Sequence, residues 1–96
     1  MRFELSSLAL LLVSPLLASA SHQSCKRGLN YCGSVLLANY GWTEDELRAI
    51  SPSTSIPVSD RLFRCQPRDE VVYIEICYDG CIDAGPDRSD FCEPSA

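Results

Sequence analysis

The chain has 96 residues, 46% of them apolar, with six cysteines and a formal net charge of −5 at neutral pH. So short a chain holds one domain with a small core. Its acidic balance argues against a nucleic-acid or anionic-membrane binder, because phosphate contacts need clustered Lys and Arg.

The first segment reads as a leader. Arg2 supplies a positive start, Leu5 to Leu17 is an apolar run, and Ala18-Ser19-Ala20 offers the small residues a signal peptidase accepts. The run is shorter than the ~20 residues a bilayer span needs. Glu4 is unusual in such an n-region but does not change the reading. The expected organisation is a signal peptide over 1–20 and a single cysteine-rich secreted domain over 21–96. In an oxidising compartment Cys25, Cys32, Cys65, Cys77, Cys81 and Cys92 read as three disulfides. Each is worth about 3 kcal/mol, against a net domain stability of about 5–15 kcal/mol. Fifteen pairings remain open, and only Cys77–Cys81 is set aside, since both lie on one extended segment.

Residues 30–41 are expected to form a helix. Asn30 or Ser34 would cap it, Leu36, Leu37 and Tyr40 would line its buried face, and Gly41 would end it. Thr43-Glu44-Asp45-Glu46 matches a capping box, so a second short helix follows, with Leu47 and Ile50 on one side and Ser51-Pro52 as its end. Ser51 to Ser59 carries two prolines and four serines and reads as an exposed loop. Arg61 to Cys65 reads as a strand and Gln66 to Asp69 as a turn. Glu70 to Tyr78 reads as a central strand, with Val72, Ile74, Ile76 and Tyr78 on one face and Val71, Tyr73, Glu75 and Cys77 on the other. Asp79-Gly80 turns the chain, and Cys81 to Ala96 reads as loop, broken by Gly85-Pro86 and stapled by Cys92. The predicted fold class is α+β: a small disulfide-stabilised domain with two short helices packed on a small antiparallel sheet.

Charge is uneven along the chain. Residues 21–68 carry six basic and four acidic groups, whereas 69–96 carry eight acidic groups and only Arg88. A solvated acidic surface is the plain reading of that tail. The same segment and the Ser51–Ser59 loop are the two candidate contact surfaces.

Catalytic signatures are missing. His22 is the lone histidine and lies at the second position of the expected mature chain, where geometry for general-base work is rarely held. Asp79, Asp83, Asp87 and Asp90 recur in the tail, but not at EF-hand spacing. The cysteine spacings are not those of a zinc site. The expectation is therefore no enzyme, no metal and no cofactor. Lys26-Arg27 is a dibasic pair that a secretory protease could cut, although two surface charges is the simpler reading. No Asn-x-Ser/Thr acceptor occurs.

Three stretches carry a resemblance: Cys25-x-x-Gly28-Leu29-x-Tyr31-Cys32-Gly33, Leu62-Phe63-x-Cys65, and Cys77-x-x-x-Cys81 with Asp90-Phe91-Cys92. In size, leader and cysteine layout the chain resembles the small secreted cysteine-rich proteins of filamentous fungi. The biotrophy-associated secreted proteins of the rice blast fungus are one such set, and some of these proteins adopt a killer-toxin-like α/β sandwich. The resemblance implies a secreted, extracellular effector acting at the plant–fungus interface. It implies no shared functional residues. The expected partner is a host protein or cell-surface component, bound by a monomer, with no nucleic acid and no membrane insertion. The alternatives are a killer-toxin-like or antimicrobial protein and a small protease inhibitor using Ser51–Ser59 as bait. The first sits poorly with an acidic chain that has no basic amphipathic helix.

Overall fold

The structure, a computed structural model, describes residues 22–94, and the expected leader lies outside them. Three strands make the main sheet: β1 (Asn30–Cys32), β2 (Arg61–Gln66) and β3 (Glu70–Ile76), antiparallel in the order β1-β2-β3. Two helices, α1 (Gly33–Asn39) and α2 (Glu44–Ala49), follow β1. A second, two-stranded ribbon joins β4 (Cys81–Ile82) to β5 (Phe91–Cys92). The fold is thus α+β, as the sequence predicts. All six cysteines are paired: Cys25–Cys65, Cys32–Cys81 and Cys77–Cys92.

Residues 30–41 are not helical throughout. Asn30, Tyr31 and Cys32 pair instead with Arg64, Phe63 and Leu62 of β2. An extended backbone sends Tyr31 and Cys32 to opposite faces of the sheet, and both are buried. The helix begins only at Gly33, with Cys32 at the N-cap position, so neither Asn30 nor Ser34 caps it. Its end is as expected: Gly41 takes φ 80° while the Tyr40 and Trp42 amides return to the Leu36 carbonyl. Leu36 is fully buried, and Leu37 and Tyr40 are partly so.

α2 begins with the expected box. Thr43 Oγ1 accepts from the Glu46 amide at 3.2 Å, and Glu46 Oε1 accepts from the Thr43 amide at 2.9 Å. Leu47 is buried, but Ile50 is 41% exposed. Ile50 is the C-cap residue at φ −111°, so it has already left the helical period that would have aligned it with Leu47.

β2, rather than β3, is the central strand. Arg61, Leu62 and Phe63 are buried in succession, as a strand covered on both faces requires. β3 is an edge strand that ends at Ile76, and its register slips opposite Leu62 and Phe63. Tyr73 pairs with Phe63 but Glu75 with Leu62, which leaves Ile74 as the extra residue of a bulge. The bulge divides the expected Val71/Tyr73/Glu75/Cys77 face. Val71 and Tyr73 join a core with Tyr31, Leu36, Leu47, Val58, Phe63 and Cys65 under the helices. Cys77 and Ile74 join Cys32 and Leu62 in a second, smaller core that the ribbon covers. Tyr78 lies beyond the strand and is 76% exposed.

Gly33 marks a close approach of two backbone segments. A Cβ there would overlap the Val58 carbonyl oxygen, where a one-turn helix over Val58–Asp60 packs on α1. The obstacle is backbone and cannot rotate away. Gly33→Ala is expected to lower stability by about 1–3 kcal/mol, read as a lower urea midpoint with an unchanged slope. An unchanged midpoint would mean that α1 and Val58 can separate freely.

Candidate functional site

The expected loop at 81–96 is more ordered than its composition predicts. Cys81 pairs with Cys92 and Ile82 with Phe91 across the ribbon. Those two cysteines face one another yet bond elsewhere: Cys81 to Cys32 at the start of α1, and Cys92 to Cys77 just beyond β3. The ribbon is therefore stapled twice to the main sheet, and residues 83–90 form its tip.

Asp90 positions that tip. It is 3% exposed, its Oδ2 accepts from the Cys32 amide at 2.8 Å, and its Oδ1 accepts from the Ala84 amide at 2.9 Å. Its own amide donates to the Asn30 carbonyl at 2.9 Å, and the Asn30 amide donates to Ser89 Oγ at 2.9 Å. Residues 89–90 thus cover the outer edge of β1, which would otherwise be open to pairing. Asp83 accepts from the Gly85 amide. Asp87 accepts from Lys26 Nζ at 2.6 Å. Lys26 bonding to Asp87 holds the aspartate below its usual carboxylate range and raises the lysine. Asp83, Asp87 and Asp90 therefore have structural partners of their own.

A cleft of about 400 Å³ opens between this tip, the arm at 24–26 and α1. Asp83, Asp87, Arg88 and Lys26 bring charge to it, and Tyr31, Tyr40 and Asn39 bring aromatic and amide groups. The two tyrosine rings meet edge to face at 5.2 Å. Burial first, then the neighbouring Tyr31, Asp90 and Asp83, pushes the Tyr40 phenol up. Tyr40 therefore stays neutral at physiological pH and offers a hydrogen bond rather than a base.

His22 is better held than its position predicts. Its ring stacks on Trp42 at 3.7 Å, and Nε2 lies 3.1 Å from both Glu46 oxygens. The Gln23 amide adds a bond to the Tyr40 carbonyl. The capping glutamate of α2 thus also clasps the N-terminal arm. Burial pushes the Glu46 carboxyl up, but the bonds from His22 and Thr43 outweigh it and hold the group below its ordinary range. A carboxylate lowered in this way stabilises the fold above its unfolded pKa and loses that contribution as pH falls through the folded value. The melting-midpoint gap between wild type and Glu46→Gln is expected to be present at neutral pH and to close below about pH 4. Trp42, the single tryptophan, would report release of the arm by fluorescence. Parallel profiles for the two proteins down to acid would contradict the clasp.

The loop at residues 51–59 is exposed from Pro52 to Ser55 but is not slack. Arg61, 2% exposed, reaches into it from the start of β2. Nη1 donates to Ser51 Oγ at 2.7 Å and to the Pro52 carbonyl at 2.9 Å. Nη2 donates to the Ile56 carbonyl at 2.7 Å and, longer, to the Thr54 carbonyl at 3.5 Å, and Nε reaches Ile56 at 3.3 Å. A buried guanidinium needs acceptors for its five N–H groups, and these loop oxygens supply them. An arginine opening a strand gives no sign in the sequence that it will turn inward.

Among the described residues, Cys25, Cys65 and Asp69 bring potential metal-ligand atoms close together. The two sulfurs are bonded to each other, so only the Asp69 carboxylate would be left to bind. No helix among the described residues is long and apolar enough to cross a membrane. No protein-family model, curated protein or solved structure matched this chain.

Proposed function

We propose that this protein is a secreted, non-enzymatic effector of a plant-associated fungus that binds a host component at the infection interface. The support for this reading begins with the three disulfides, which fit an oxidising compartment. The observation that carries it furthest is the mounting of residues 83–90. Two bridges and a buried carboxylate hold an acidic tip in place beside a cleft. A surface fixed before binding loses less entropy on association, and a net acidic rim favours a basic patch on the partner.

Two experiments test it. Deletion of the gene is expected to reduce colonisation of the host, and transcript should rise during infection. A tagged protein should retain a host component from infected tissue, and Asp87→Lys, an exposed change at the tip, should weaken that retention. Unaltered infection together with no expression in planta would overturn the reading. Growth inhibition of competing microbes by the purified protein would replace it with the antimicrobial one.

A further inference from the structure

The arginine-braced loop carries more than a structural role. Its entry is fixed by Ser51, whose hydroxyl donates to the Leu47 carbonyl at 2.6 Å. Its exit is fixed by Pro57, at φ −61°, and by Val58, which is 3% exposed in the main core. Within it, the Ile56 amide donates to Thr54 Oγ1 at 3.2 Å. The side chains of Pro52, Ser53, Thr54 and Ser55 remain exposed. The loop is thus an outward arc whose backbone is held from within by one buried cation.

The pattern of the bracing is specific. The carbonyls of Pro52, Thr54 and Ile56 all turn inward onto the Arg61 guanidinium. The Ser53 carbonyl between them is not among the acceptors of that guanidinium, so the brace leaves it for an incoming nucleophile. The Ser53–Thr54 peptide bond lies between two braced carbonyls. If that bond were cut, both new ends would still be tied to the same side chain.

We propose that this loop is a substrate-like inhibitory loop for a serine endopeptidase with a small specificity pocket, presenting the Ser53–Thr54 bond. The proposal rests on the reading of a secreted protein that acts on its host, and it adds to the component bound at the 83–90 tip a second partner, of stated class, bound by the loop. The pocket must be small because the exposed side chain on the acyl side is a serine. A pocket built for a cation or an aromatic ring would gain nothing from it.

The chemistry balances without a co-reactant. The enzyme's serine oxygen adds to the Ser53 carbonyl carbon, and its proton passes through the enzyme's histidine to the departing Thr54 nitrogen. The Thr54 amine cannot diffuse away, because Thr54 and Ile56 remain bound to Arg61. It re-adds to the acyl carbon, returns the proton and restores the peptide at high effective concentration. The enzyme is occupied rather than turned over.

The test uses the mature protein with all three bridges formed, against elastase-type, subtilisin-type and trypsin-type enzymes. Inhibition of the first two at near-stoichiometric ratio is expected, with none of the third. Ser53→Lys changes one exposed side chain and is expected to move inhibition onto the trypsin-type enzyme. Arg61→Met is expected to weaken inhibition on the order of 100-fold and to turn the loop into a cleaved substrate. If that variant does not fold, the Ser53→Lys result decides. Fast cleavage of the wild-type loop, absence of inhibition of both small-pocket enzymes, or failure of Ser53→Lys to inhibit the trypsin type overturns the proposal. Absence of inhibition with host retention intact sinks the loop assignment alone. Inhibition in vitro with unaltered infection and no expression in planta leaves the loop assignment standing and sinks the effector reading.

Discussion

Replacing Cys32 and Cys81 together by alanine is expected to remove about 4 kcal/mol of stability, the loop-closure value for a crosslink of this span. The two residues are 49 apart in sequence, against 15 for Cys77–Cys92, for which the same argument gives about 3 kcal/mol. The Cys32 bridge also stands at a junction. Cys32 ends β1, opens α1 and is fully buried in the second core with Leu62 and Cys77. Losing it removes one of the ribbon's two staples, over the smaller of the two cores. For a domain of this size, 1 kcal/mol is worth about 4–8 °C, so the melting midpoint should fall by roughly 15–30 °C. The Cys77/Cys92 pair of substitutions should cost less. A fall of only a few degrees for Cys32/Cys81, or the reverse order between the two pairs, would show that the ribbon docks without its staples.

That bridge also marks where the sequence was readable and where it was not. The even cysteine count in a short chain made a disulfide framework legible, and Thr43-x-x-Glu46 made α2 legible, because both signals are local. Gly41 ended α1 for the same reason: it takes a left-handed turn that other residues resist. Connectivity was not legible, since it depends on which elements meet. Cys81 and Cys92 face each other across the ribbon yet bond to residues on the main sheet. β1 was hidden because Asn30–Cys32 looks helical until β2, about 30 residues later, offers a ladder. The bulge at Ile74 was hidden because apolar residues on both parities of β3 read as simple alternation.

The candidate sites divide along the same line. Composition alone pointed to the Ser/Pro loop and the acidic tail as displayed surfaces. Each of them is braced from within by a buried charge: Arg61 under the loop and, with the two bridges, Asp90 behind the tip. Both charges are met mainly by backbone groups rather than by opposite charges. Charge patterning along a sequence finds ion pairs between side chains and has no means of finding these. The arrangement also explains how a chain rich in serine, proline and aspartate can hold defined surfaces with so little apolar core.

Asp90→Ala should be the most damaging single change outside the cysteines and Arg61. It removes the acceptors of two amides, Cys32 at 2.8 Å and Ala84 at 2.9 Å, in a place that is 3% exposed. Hydrogen bonds to a charged group contribute about 1.5–3 kcal/mol each, so the loss is expected to reach about 3–6 kcal/mol. Asp90→Asn separates charge and geometry from volume. Asparagine keeps the shape but has one acceptor oxygen, so its amide nitrogen must face a backbone N–H, donor against donor. One bond survives, and the cost should be about half that of alanine. Amide exchange would locate the damage: the Cys32 and Ala84 amides should both lose protection in Asp90→Ala and only one of them in Asp90→Asn, while the Thr43–Glu46 box keeps its own. Because Asp90 also shapes the wall of the cleft, Asp90→Asn should weaken host retention while leaving inhibition through the Arg61 loop unchanged. Equal loss of both activities would mean that the tip and the loop are one coupled surface rather than two independent ones.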